Sequence, residues 1–131
     1  MRIRTACAGA VAGLIVAAAL ATAQTPTAAD HKQWMDDAAD VQDDLSDALA
    51  AKSGAKAAEA AGKLDAILVK TERYWAAKHA DDIVQLARSS STLAKEVGAS
   101  AKAGRMTQAS DAFKKLSAQC NTCHDLHPEK R

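Results

Sequence analysis

Apolar residues recur along this chain at the spacing of a helix. The first run reads Trp34, Ala38, Val41, Leu45 and Ala48, separated by four, three, four and three residues, which keeps them on one helical face. A second face holds Ala60, Leu64, Ile67, Leu68, Thr71, Tyr74 and Trp75. A third holds Ile83, Leu86, Ala87, Leu93, Val97 and Ala101, and a fourth Phe113, Leu116, Cys120, Cys123 and His127. The pattern predicts helices over about 30–52, 55–77, 80–103 and 107–126.

The punctuation agrees with four segments. Pro26 and Pro128 stand outside the periodic region, and no Pro lies between them, so nothing inside must break a helix. Ser53-Gly54 is expected to end the first helix, with Gly54 as a left-handed cap. Gly104 is expected to end the third, and Asp81 and Asp82 favour its positive N-terminal pole. Thr107 is expected to cap the fourth, with Asp111 in its first turn. The joint from Trp75 to Asp81 contains neither Gly nor Pro, and Gly62 and Gly98 fall inside helical patterns. Joints this short make neighbouring helices antiparallel. The expected fold is all-α, an up-down-up-down four-helix bundle. Its Ala-rich faces bury little area per residue, which leaves room for a large apolar ligand.

The N-terminus belongs to a different pattern. Arg2 and Arg4 precede an apolar stretch from Ala8 to Ala21, and Ala21-Thr22-Ala23 offers small residues for cleavage. This is the anatomy of a secretory signal peptide over residues 1–23. It leaves residues 24–131 as one exported domain, expected in a periplasmic compartment with no stable membrane insertion after cleavage. The stretch is shorter than the roughly 20 residues of a spanning helix. Cys7 precedes the apolar run and so is not placed as a lipid-anchor Cys.

Charge narrows the function. Loss of Arg2 and Arg4 leaves 15 bases against 16 acids, which does not fit a nucleic-acid binder with its basic face. Within the mature chain, residues 30–49 hold seven Asp and one Lys, whereas residues 50–131 hold nine acids and fourteen bases. The acidic first helix reads either as a solvated face complementary to its neighbours or as a docking patch for a basic partner.

The candidate chemistry lies at the other end. Once the leader is removed only Cys120 and Cys123 remain, in the run Cys120-Asn121-Thr122-Cys123-His124. C-x-x-C-H is the attachment signature of covalent haem c. On a helix, positions three and four apart share a face. Two thiols can therefore meet the edge of a porphyrin while the His124 imidazole reaches its iron. Two other chemistries use such a Cys pair. A redox dithiol usually opens a helix after a strand, whereas this pair closes the last helix of an all-helical chain. A structural zinc site needs a fourth ligand, for which His127 is the nearby candidate. A helical bundle without haem is the remaining alternative.

A signal peptide, four helices and C-x-x-C-H near the C-terminus resemble the class II c-type cytochromes, the cytochrome c′ family. The likeness spans the mature chain, and its specific part is the motif at residues 120–124 and its placement. In that family the first helix decides what covers the open haem face. Low-spin members place a Met there, commonly with a basic residue four positions earlier. The run His31-Lys32-Gln33-Trp34-Met35 resembles that arrangement. Met35 is thus implied as the second axial ligand, with His31 or Lys32 near the basic position.

Read from the residues alone, Met35 also fits the edge of a core stripe, where Met fills gaps. The bundle topology sets the start of helix one at the same end as His124. His31 is the rival ligand, one turn before Met35, or a solvated helix-start residue. His127 is expected as a helix-end residue facing solvent or the haem edge, His79 as a structural residue in the joint at the far end of the bundle, and Trp34, Tyr74, Trp75 and Phe113 as packing for the core and pocket. Lys114, Lys115, Lys130 and Arg131 flank the motif as solvated surface or as partners for haem propionates. The resemblance implies a carrier of single electrons and not an enzyme, working with redox partner proteins. Its alternative is a five-coordinate protein that binds NO or CO. The acidic first helix would repel its own copy, so a monomer or weak homodimer is expected.

Overall fold

The computed structural model describes residues 24–128. It contains four α-helices in chain order, α1 (Ala28–Ala50), α2 (Gly54–Ala76), α3 (Asp81–Lys102) and α4 (Met106–Leu126). They form the expected four-helix bundle. The leader at residues 1–23, and Lys130 and Arg131, lie outside the described residues.

Contacts between helix ends fix the up-down order. Gly54, opening α2, lies against Ala101 at the end of α3 and Met106 at the start of α4. At the opposite end, Trp75 of α2 meets His31 of α1, and Asp82 of α3 meets His127 of α4. Salt bridges and hydrogen bonds hold the register of α2 and α3 between those ends. Glu72 accepts from Arg88 at 2.7 Å, and Asp65 accepts from the Ser91 hydroxyl at 2.5 Å.

The helix ends differ from the expected chemistry in three places. Thr27 caps α1 in a capping box. Its hydroxyl accepts from the Asp30 N–H at 3.2 Å, and the Asp30 carboxylate accepts from the Thr27 N–H at 2.7 Å. Asp30 thus falls in the first turn, and these hydrogen bonds hold its carboxyl below the usual range. The left-handed residue after α1 is Lys52 (φ 53°), not Gly54. Gly54 instead opens α2, where a side chain would strike the Ala101 carbonyl. Thr107 does not cap α4, because Arg105 is the N-cap and Met106 already helical. Gly104 behaves as expected (φ 71°), and the joint without Gly turns on His79 (φ 57°).

The core runs along the whole bundle in two regions. The larger is built around Leu45, Leu64, Val97 and Leu116, with many Ala between them. The smaller, at the end holding the Cys pair, collects Tyr74, Trp75, Ile83 and Val84, with Trp34 and Cys123 packed against them. Small residues let α2 and α3 approach closely. Gly98 faces Ala61 and the Ala58 carbonyl, and the α2–α3 pair makes the most extensive contact in the molecule. By contrast, α1 and α4 touch only slightly. That leaves a cleft between α1 and α4, closed behind by α2 and α3.

Candidate functional site

The cleft carries the chemistry. From α4 it is lined by Cys120, Cys123 and His124. From α1 come Met35, Ala38, Ala39 and Gln42. The back wall is Leu64, Leu68 and Thr71 of α2 with Ile83, Leu86, Ala87 and Ser90 of α3. The cavity measures about 100 Å³. An adjoining lobe of about 30 Å³ is lined by His31, Met35, Thr71, Trp75, Ile83, Cys123, His124 and His127. Met35, Cys123 and His124 border both. The sequence-predicted residues Cys120, Cys123, His124 and Met35 therefore meet at one site, contributed by two helices far apart in the chain.

Helix geometry explains the α4 side. The motif lies in the last two turns, where spacings of three and four stack side chains on one face. All three side chains are half-buried. Burial pushes the Cys120 thiol up to about 11, with Cys123 adding to it. Burial, followed by the charge of Asp82, also raises the Cys123 thiol. Both groups are thus held as neutral thiols. A reactive dithiol or a metal thiolate works the other way, through a lowered thiol pKa.

His127 is tied down. Its Nε2 lies 2.7 Å from Asp82 Oδ2, joining the end of α4 to the start of α3. The Asp82 carboxyl is held below its usual range, first by that hydrogen bond and then by the Ile83 N–H. At this helix end His127 also borders the lobe lined by Cys123 and His124.

His31 is neither solvated nor a helix cap. It is buried, and its Nε2 accepts the Trp75 Nε1–H at 3.0 Å. Tyr74 stacks on the imidazole with centroids 4.7 Å apart and planes 13° from parallel. Trp75 and Trp34 meet its edge at 5.2 and 6.5 Å. Burial first, then the charges of His124 and Lys78, hold its pKa below the ordinary imidazole value. A neutral ring accepting at Nε2 carries its proton on Nδ1. The sequence did hold a signal for this burial. His31, Ala38 and Leu45 are spaced by sevens and all three are buried, so the core stripe begins one turn before Trp34.

Other expectations resolve simply. Trp75 and Tyr74 pack the site end as expected, with Lys78 over the Tyr74 ring at 4.8 Å. His79 is exposed in the joint between α2 and α3, at the same end as the Cys pair, since it follows Trp75. The expectation that it sits at the opposite end of the bundle is corrected. Lys114 pairs with Asp111 at 3.5 Å on an exposed surface. Sequence reasoning missed Gln42 and Ser90, the polar groups on the cleft wall. The Ser89 and Ser90 hydroxyls both donate to Gln119 Oε1.

The donor set fits a haem. Two thiols and an imidazole stand on one wall, a thioether on the facing wall, and the surfaces between are mostly apolar. The cavity is smaller than the roughly 300–1,000 Å³ typical of ligand pockets. A haem would therefore part α1 from α4, where the bundle is least tightly packed. No family model, curated protein or solved structure matches this chain.

Proposed function

We propose that this chain is an exported mono-haem c-type cytochrome that carries single electrons. Cys120 and Cys123 would hold the haem covalently, and His124 and Met35 would ligate its iron. The observation that carries the proposal is the meeting of these four side chains across one apolar cleft. The resemblance to class II c-type cytochromes rests on the same residues. A haem bound there supplies an iron centre that gains and loses one electron.

The chain's own residues supply the rest. His124 and Met35 offer a nitrogen and a thioether, a pair used in electron-transfer haem proteins. Leu64, Leu68, Ile83 and Leu86, which line the cleft, would keep water from the iron and limit solvent reorganisation. With His124 and Met35 both holding the iron, no place would remain for a substrate, which fits a carrier rather than an enzyme. The leader at residues 1–23 directs the chain to the periplasm. No helix among the described residues is long and apolar enough to cross a membrane.

An optical spectrum of the haem-matured protein, oxidised, reduced and under CO, tests this reading. A sharp low-spin reduced spectrum that CO leaves unchanged is expected. Met35→Leu should open the iron and permit CO binding. A wild-type spectrum that is high-spin and shifts with CO would make the five-coordinate NO or CO binder the better reading. A natively matured protein without haem absorption would overturn both.

A further inference from the structure

Met35 packs against the edge of the main core from α1. It is half-buried, on a flexible side chain, and α1 makes only slight contact with α4 across the cleft. The direction of Met35 toward α4 therefore depends on how α1 is seated on its other neighbour, α2. At this end of the bundle the two helices meet through His31. The Trp75 indole donates to its Nε2 at 3.0 Å, and the Tyr74 ring lies parallel to it at 4.7 Å. His31 is one turn before Met35 and therefore on the same face of α1. Both border the lobe that also contains Cys123 and His124.

We infer that the Trp75–His31 hydrogen bond, with Tyr74 stacked on the imidazole, is a clamp that positions Met35 toward His124. This rests on the reading of Met35 as an axial ligand and goes beyond it. His31 and Trp75 are positioning residues, since they act through Met35. The clamp fixes two degrees of freedom of α1. The hydrogen bond sets its height along α2, and the stacking sets its rotation. An apolar residue at 31 would remove the acceptor that His31 offers the buried indole N–H. His31 is also removed as a rival ligand through Nε2, because that lone pair is already engaged.

The test compares haem-matured wild type with His31→Leu, Trp75→Phe, His31→Gln and Met35→Leu. The readouts are the spin state of the oxidised protein, the CO affinity of the reduced protein, and the denaturant midpoint. His31→Leu and Trp75→Phe remove the hydrogen bond, which should weaken Met35 ligation and raise CO affinity about tenfold. His31→Gln keeps an acceptor for the indole and should stay within about twofold of wild type. Should Met35→Leu admit CO while His31→Leu and Trp75→Phe lower only the midpoint, the clamp is wrong and the ligand assignment stands. An equal rise in CO affinity for His31→Gln and His31→Leu would also overturn it. Should Met35→Leu change neither spin state nor CO affinity, the ligand assignment fails and the clamp with it.

Discussion

Two glycines show how much a single position depends on its surroundings. A Cβ at Gly54 would lie 2.6 Å from the Ala101 carbonyl oxygen, so Gly54→Ala must push α2 from α3. Gly62 has nothing within 4 Å of the same added atom. Gly54→Ala is therefore expected to destabilise by roughly 1–3 kcal/mol through overpacking. Gly62→Ala should stabilise by about 0.5–1 kcal/mol, because it lowers the entropy of the unfolded chain in a helical segment. Urea midpoints at unchanged slope would check both, and equal shifts would contradict the packing argument. His31 adds a pH term at the same scale. Burial, with His124 and Lys78 nearby, lowers its folded pKa, whereas the unfolded imidazole titrates near about 6.5. The unfolded chain then binds the proton more readily, so this contribution is complete above about pH 6.5 and is lost as pH falls through the folded value. Wild type should lose more stability than His31→Gln between about pH 7.5 and about pH 5. Parallel pH profiles would show that His31 is not the group responsible.

Among the elements, the helices were legible and their ends were less so. The four periodic stripes predicted every helix to within two residues, because each apolar face repeats over about four or five turns. A terminus is decided by only a few atoms. Gly54 offered an obvious left-handed cap, yet Lys52 takes that conformation, at φ 53°, because Gly54 is needed for the close approach to Ala101. A contact between helices remote in sequence thus overrode a local preference. The non-glycine residue at 52 carries the strain of a left-handed backbone. Lys52→Gly should relieve it and raise stability by about 0.5–1 kcal/mol, measurable as a higher denaturant midpoint. A lowered midpoint would mean that the Lys52 side chain contributes more than its backbone strain costs. The candidate site divides in the same way. Cys120, Cys123 and His124 share a face by local geometry alone and were readable as a motif. That Met35 faces them followed from antiparallel topology. The burial of His31 continues the stripe of Ala38 and Leu45, but no local pattern announces its hydrogen bond to Trp75, 44 residues away.

For the whole molecule, the unequal packing of the four helices decides how it should breathe. Ala57, Ala58 and Ala61 of α2 and Ala94, Gly98 and Ala101 of α3 let the central pair approach closely, and α4 packs on α3. α1 is held chiefly by α2, with little support from α4. Its outer face is also a row of exposed aspartates, of which Lys32 neutralises Asp36 at 2.7 Å. Like charges along one helix favour its release. In the haem-free chain, α1 should therefore open before α2 and α3, and native-state hydrogen exchange should find its amides the least protected of these three helices. Covalent haem would bridge α4 to α1, through the Cys pair on one side and Met35 on the other. The same experiment on the matured protein should bring α1 amides close to the protection of α2. The gain should be smaller in Met35→Leu, which keeps the thioethers and loses only the link to α1. Uniform protection without haem would mean that α2 alone holds α1 firmly. An α1 that stays labile in the matured protein would show that the cofactor does not join these two helices, whatever its spectrum.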